Sequence, residues 1–92
     1  MSEYIKYNAC DLDRLIQANY GKKFEVPYFM EGQRYMEVFG IGPEDDLQET
    51  IEAWQDLNRD HMGKLEDLEA LMCDLCSKGL LEEGDYLLEF DD

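Results

Sequence analysis

A chain of 92 residues with 23 acidic against 8 basic side chains carries a formal net charge of −15, which excludes the basic face that nucleic acid or anionic lipid requires. Its 45% apolar and 12% aromatic content supplies one modest core, so disorder is not the expectation despite the charge. The opening MSEYIKYNAC lacks a secretory apolar run, no segment approaches the roughly 18 apolar residues of a membrane span, and the odd cysteine count gives no disulfide framework, so a reducing cytoplasm is expected.

In chain order, residues 4–7 read as a short opening strand. Asp11 is the expected N-cap of a helix that carries Leu12, Leu15, Ile16 and Tyr20 on one face and stops at Gly21. Phe24, Val26, Tyr28 and Met30 alternate with less apolar neighbours, the period of a half-buried strand, and Pro27 marks that strand as an edge or a bulge. Glu31-Gly32 reads as a tight turn into a second strand over residues 34–39, after which Gly40, Gly42 and Pro43 punctuate the change to helix.

Leu47, Ile51, Trp54 and Leu57 recur at steps of four, three and three, one apolar face of a helix over residues 44–60. His61-Met62-Gly63 is expected to end or kink that helix. A second one faces Leu65, Leu68, Met72, Leu75 and Cys76 inward and stops at Lys78-Gly79, a Schellman motif with Leu80 as its apolar cover. The turn Glu83-Gly84-Asp85 leads into a final strand over residues 86–90. The order β-α-β-β-α-α-β predicts a single α+β domain over residues 1–92, a small, largely antiparallel sheet packed against two or three helices.

The charge is lopsided. Residues 1–43 hold six acids and five bases, whereas residues 44–92 hold seventeen acids and three bases. Adaptation to high salt would charge both halves, so a specific acidic surface is the better fit. Within the helix expected from residue 44, Asp45, Glu49, Glu52, Asp56 and Asp60 share one face alongside the apolar stripe. Like charges at that spacing cost roughly 0.2–0.5 kcal/mol per pair, on the order of 1–2 kcal/mol for the row. The helix macrodipole accounts for Glu44, Asp45 and Asp46 at the N-terminus but not for the later members. The row has one charge per roughly 5.6 Å against one phosphate per about 3.4 Å of a DNA strand, too sparse to imitate a strand alone. Glu66, Asp67, Glu69 and Asp74 on the next helix, and Glu82, Glu83 and Asp85 beyond it, would supply the missing density if they lie nearby.

Other chemistry has weaker signals. Asp56, Asn58 and Asp60 match the first ligands of a calcium-binding EF-hand loop, but His61 replaces its turn glycine, Gly63 its apolar position and Asp67 its bidentate glutamate. Cys73 and Cys76 form a CxxC that would need His61 and Cys10 to complete a zinc shell, and Cys76 falls on the apolar stripe. His61, the one histidine, has no nucleophile at readable spacing, and the acids at 44–46 repel a phosphate placed after Gly40-Ile41-Gly42-Pro43. No catalytic residue, metal or cofactor is therefore expected. Trp54 reads as core; Tyr4, Tyr7, Tyr28 and Tyr35 are surplus aromatics suited to an interface.

In size, charge and lack of a catalytic signature, the chain resembles the small acidic proteins that phages make against host defences, among them DNA-mimic inhibitors and anti-CRISPR proteins. The stretch EDDLQETIEAWQD and the closing CSKGLLEEGDYLLEFDD carry the likeness. It implies a non-enzymatic inhibitor, monomer or homodimer, that occupies the basic DNA site of a nucleic-acid-binding protein or CRISPR surveillance complex in the host cytoplasm. Asp45, Glu49, Glu52, Asp56, Asp60, Glu66 and Asp67 are the candidate partner-binding residues. The rival expectation is an interaction or assembly module whose charge serves solubility only and whose aromatic surface binds.

Overall fold

A computed structural model of the protein describes residues 3–29, 32–56 and 64–90. Its elements are β1 (Tyr4–Asn8), α1 (Ala9–Tyr20), α2 (Val26–Phe29), β2 (Tyr35–Ile41), α3 (Gln48–Gln55), α4 (Leu65–Ser77) and β3 (Gly84–Glu89). The class is α+β, with helices packed on a three-stranded sheet of order β1-β3-β2. The sheet is mixed rather than largely antiparallel: β3 pairs parallel with β1 and antiparallel with β2. No helix among the described residues is long and apolar enough to cross a membrane.

The register decides which side of the sheet is covered. Ile5 lies beside Tyr86 and Tyr7 beside Leu88 on one flank; Val38 and Met36 lie beside the same two residues on the other. All six turn toward the core, where Leu12 and Ile16 of α1 and Leu68, Leu71, Met72 and Leu75 of α4 meet them. Successive strand residues point to opposite faces, so the next row of side chains turns away from the helices.

Helix α1 begins at Asn8 and not at Asp11. Asn8 is extended, and its Oδ1 accepts from the N–H groups of Cys10 at 2.8 Å and Asp11 at 3.2 Å. Asn caps as well as Asp, and the earlier start buries Ala9 together with Leu12. Asp11, now in the first turn, pairs with Arg14 instead. Gly21 stops the helix where the spacing placed the stop.

Residues 24–30 do not form a strand. Asp13, buried on α1, reaches across and accepts the Val26 N–H at 2.9 and 3.0 Å on its two oxygens. Glu25 adopts a left-handed φ of 65° just before it, and α2 turns from there. Pro27, which lacks an N–H to donate, is tolerated in this first turn. Phe24 and Val26 are buried, but Tyr28 is 63% exposed, so the alternation predicted two of its core residues and misplaced the third. Met30 and Glu31 lie outside the described residues.

Strand β2 runs on through Gly40 to Ile41, with a bulge between Val38 and Ile41. Helix α3 starts at Gln48, four residues later than the spacing predicted, because Asp46 at φ 64° breaks the run before it. Ile51 and Trp54 are buried and Leu47 packs half-buried against them. Leu57, Asn58, Arg59, Asp60 and the stop His61-Met62-Gly63 lie outside the described residues.

Helix α4 is the central helix, buried nearly all round: Ala70, Leu71 and Cys73 join the predicted Leu68, Met72, Leu75 and Cys76 inside. Leu65 is 41% exposed because the first turn projects past the core. The Schellman stop is present, Leu80 N–H donating to Leu75 O at 2.9 Å and Gly79 N–H to Cys76 O at 3.0 Å. Leu80, the expected apolar cover, is exposed, and the next residue, Leu81, is buried. At Gly84, φ is 145° and an added Cβ would stand 3.0 Å from Ile5 Cδ1, so glycine is required where β3 enters beside β1.

Candidate functional site

Helix α3 owes its orientation to Trp54. The indole is buried and stacks on Phe24, centroids 5.8 Å apart, an arrangement worth about 0.5–1.5 kcal/mol beyond burial. Lys22 donates to the Trp54 carbonyl at 3.0 Å and stands 5.1 Å from the ring, a cation at the helix C-terminus where the dipole favours one. With Ile51 and Trp54 turned inward, the helical period directs Glu49, Glu52 and Asp56 outward, and all three are exposed. None has an ion-pair partner among the described residues. Glu52 accepts from Gln48 Nε2 at 3.0 Å, a neutral neighbour that fixes it without cancelling its charge. The sequence holds no lysine or arginine between Arg34 and Arg59.

The remaining candidate residues sit in other local settings. Asp45 is exposed but precedes α3, in a bend. Asp60 lies outside the described residues. Glu66 is exposed on the first turn of α4. Asp67 uses its carboxylate locally, accepting the Lys64 N–H at 2.7 Å as one half of a capping box. Asp74 is engaged inside the fold: Tyr20 Oη donates to it at 2.5 Å, Lys78 Nζ lies 3.0 Å away, and that ammonium sits 4.4 Å over the Tyr20 ring. Burial, and then the bond to Asp74, push the Tyr20 hydroxyl well above its ordinary pKa. The outward ridge from Glu49 to Asp56 is therefore about 10 Å long at roughly 1.5 Å per residue, a length that meets a few cationic side chains rather than a tract of duplex.

Cys73 and Cys76 are buried. Burial raises the thiol pKa of both Cys73 and Cys76, with Glu44 adding to the rise at the first and Glu83 at the second, so both stay in the weakly nucleophilic thiol form. All three cysteines are free. Among the described residues no group of three or more His, Cys, Asp or Glu side chains is placed to hold a metal ion. Most of the EF-hand-like segment, and His61 with it, lies outside the described residues.

Sequence reasoning missed the open face of the sheet. Tyr4 and Lys6 of β1, Tyr35, Glu37 and Phe39 of β2, and Asp85, Leu87 and Glu89 of β3 form the row turned away from the helices. Tyr4 and Phe39 meet at 5.9 Å across the sheet, and Tyr4 Oη donates to Glu37 Oε2 at 3.1 Å. Tyr35 and Phe39 remain 55% and 54% exposed. Beside them a cleft of about 620 Å³ opens where β1 and β3 end, lined by Asn8, Arg34, Tyr35, Glu89 and Phe90. The signal was the alternation in YMEVF, whose polar-side members include two aromatics. Comparison with protein-family models, curated proteins and solved structures gives no match for this chain.

Proposed function

We propose that this protein inhibits a nucleic-acid-binding protein or surveillance complex, of the kind phage anti-defence proteins target, by seating the α3 ridge in its cationic site. The observation that carries the reading is the outward, unpaired row of Glu49, Glu52 and Asp56 on a helix whose opposite face is anchored by Trp54. Three carboxylates held at helical spacing repel one another by a few tenths of a kcal/mol per pair. Lysine and arginine side chains that otherwise hold phosphates reverse that sign and gain from long-range attraction during encounter. The contact is local charge pairing by the three exposed carboxylates, and Asp74, held by Tyr20 and Lys78, takes no part in it.

The test is the triple reversal Glu49→Lys, Glu52→Lys, Asp56→Lys, read by capture of basic complexes from host lysate and by displacement with duplex DNA. Loss of capture with an unchanged circular dichroism spectrum supports the reading, as does release by a salt gradient; capture that survives reversal overturns it. Exposed Tyr35 and Phe39 favour a second reading, an interaction module whose charge serves solubility only. Under that reading the reversal leaves binding intact and removal of the two aromatics abolishes it.

A further inference from the structure

Among the described residues strand β2 is an edge of the sheet, and one hydrogen bond fixes which of its main-chain groups face away from β3. Phe90 N–H donates to Arg34 O at 3.0 Å. In an antiparallel pair, bonded and non-bonded residues alternate, so Met36 and Val38 bond to β3 while Tyr35 and Glu37 direct their N–H and C=O groups to the open side. The same two residues place their side chains on the face turned away from the helices, where Phe39, within the bulge, meets Tyr4 at 5.9 Å. The bulge lies beyond, between Val38 and Ile41, and leaves residues 35–37 regular enough to pair.

Charge then selects the occupant. Glu37 sits at the middle of this edge, with Asp85 and Glu89 on the same face of the neighbouring strand; among the described residues the bases nearby are Lys6, on the far strand β1, and Arg34, which precedes β2 at the end beside Glu89. A second copy paired Glu37 to Glu37 sets like charges opposite each other and unites two chains of net charge −15. A cationic strand meets the reverse situation. Its lysine or arginine beside Glu37 reaches over the sheet face to a carboxylate that Tyr4 Oη holds toward β1, with the rings of Tyr35 and Phe39 on the same face within reach of a long side chain.

We infer that the open edge of β2 docks an extended, lysine- or arginine-bearing segment of another protein as a fourth strand, main-chain bonds coming from Tyr35 and Glu37 and selectivity for cations from Glu37 between two aromatic rings. This is the strand-addition mode of peptide recognition. It uses a surface separate from the α3 ridge and stands whether or not that ridge binds a nucleic-acid-binding protein.

The probe is a capped heptapeptide alternating arginine and valine, with two controls: the glutamate–valine counterpart, and the arginine peptide N-methylated at alternate residues so that it cannot pair. Binding is followed by calorimetry and by residue-resolved amide exchange on the unaltered protein. The expected result is slowed exchange at Tyr35 and Glu37, saturable binding of the arginine peptide, and at least tenfold weaker binding of either control. Glu37→Lys weakens the arginine peptide at least tenfold; the triple lysine reversal on α3 changes it by less than about threefold. If Glu37→Lys loses its circular dichroism signal, Glu37→Gln replaces it, and amide exchange on the unaltered protein decides in any case. Unchanged exchange at both amides overturns the proposal. So does arginine-peptide binding that tolerates N-methylation and the Glu37 substitutions but falls with the α3 reversal, for then the peptide reads only the ridge. Protection of the two amides without peptide, with dimer or larger species in sedimentation, overturns it in favour of a second copy.

Discussion

Helices α3 and α4 are both rich in carboxylates, and they put them to opposite use. Those on α3 project into solvent opposite a buried Trp54, with no ion pair among the described residues. Two of the four on α4 are engaged, Asp67 with the Lys64 N–H at the helix start and Asp74 with Tyr20 and Lys78 at the far end, while Glu66 stays exposed. The difference follows from burial. A helix enclosed nearly all round has little surface on which to leave a charge unpaired, and a carboxylate near the core needs donors. A helix held by one face can leave the other fully charged. Acid content therefore does not measure acidic surface; the partners of each carboxylate do.

The comparison can be broken most severely at the anchor of α3. Trp54→Ala removes the stack on Phe24 and the platform under Lys22, and a loss of about 3–5 kcal/mol in urea denaturation is expected. A loss under 1 kcal/mol would mean that α3 is held by something other than Trp54. A third kind of carboxylate, buried Asp13, sharpens the contrast through pH. Desolvation raises its pKa to about 6 from 3.8, against the opposing pull of the Val26 N–H. Because the native state then holds the proton more tightly than the unfolded chain, this group favours folding below pH 4, and that contribution disappears as pH rises to 6. From pH 7 to pH 4 the unaltered protein should gain up to about 3 kcal/mol more stability than Asp13→Asn. Equal pH profiles for the two would contradict the burial assigned to it.

Smaller effects separate the two helices directly. Asp74→Ala strands the Tyr20 hydroxyl and should cost about 1–3 kcal/mol in the same urea assay. Asp67→Ala removes a cap bond and should cost about 1 kcal/mol. Glu52→Gln should stabilise slightly, by less than about 0.5 kcal/mol, and the gain should vanish in 1 M salt, whereas Glu49→Gln should gain nothing because the helix dipole favours an anion in the first turn. Losses of 1 kcal/mol or more at these two positions would show that the ridge carries hidden internal partners.

What was legible in the sequence was what local pattern encodes. The stop of α1 at Gly21, the inward residues of α4 from Leu68 to Cys76 and the Schellman stop at Gly79 each depend on neighbours within a turn or two. Glu49, Glu52 and Asp56 were legible as one face for the same reason. Residues 24–30 were not, because the donor and acceptor that fix Val26 belong to different elements, and a period-two run contains no mark of Asp13 reaching it. The place of Asp45 was lost to the positive φ of Asp46, which spacing does not register. The open sheet face was half legible: Tyr4 and Tyr35 stood out as surplus aromatics, but only the pairing of β1 and β2 to β3 puts them on one surface with Glu37 and Phe39.

That middle strand has a temporal consequence. β3 joins β1 to β2, yet it lies downstream of both, so a nascent chain lacking residues 84–89 holds two strands with nothing between them. The sheet closes only after those residues have emerged from the ribosome, and a premature stop near residue 83 would remove the keystone rather than trim a margin.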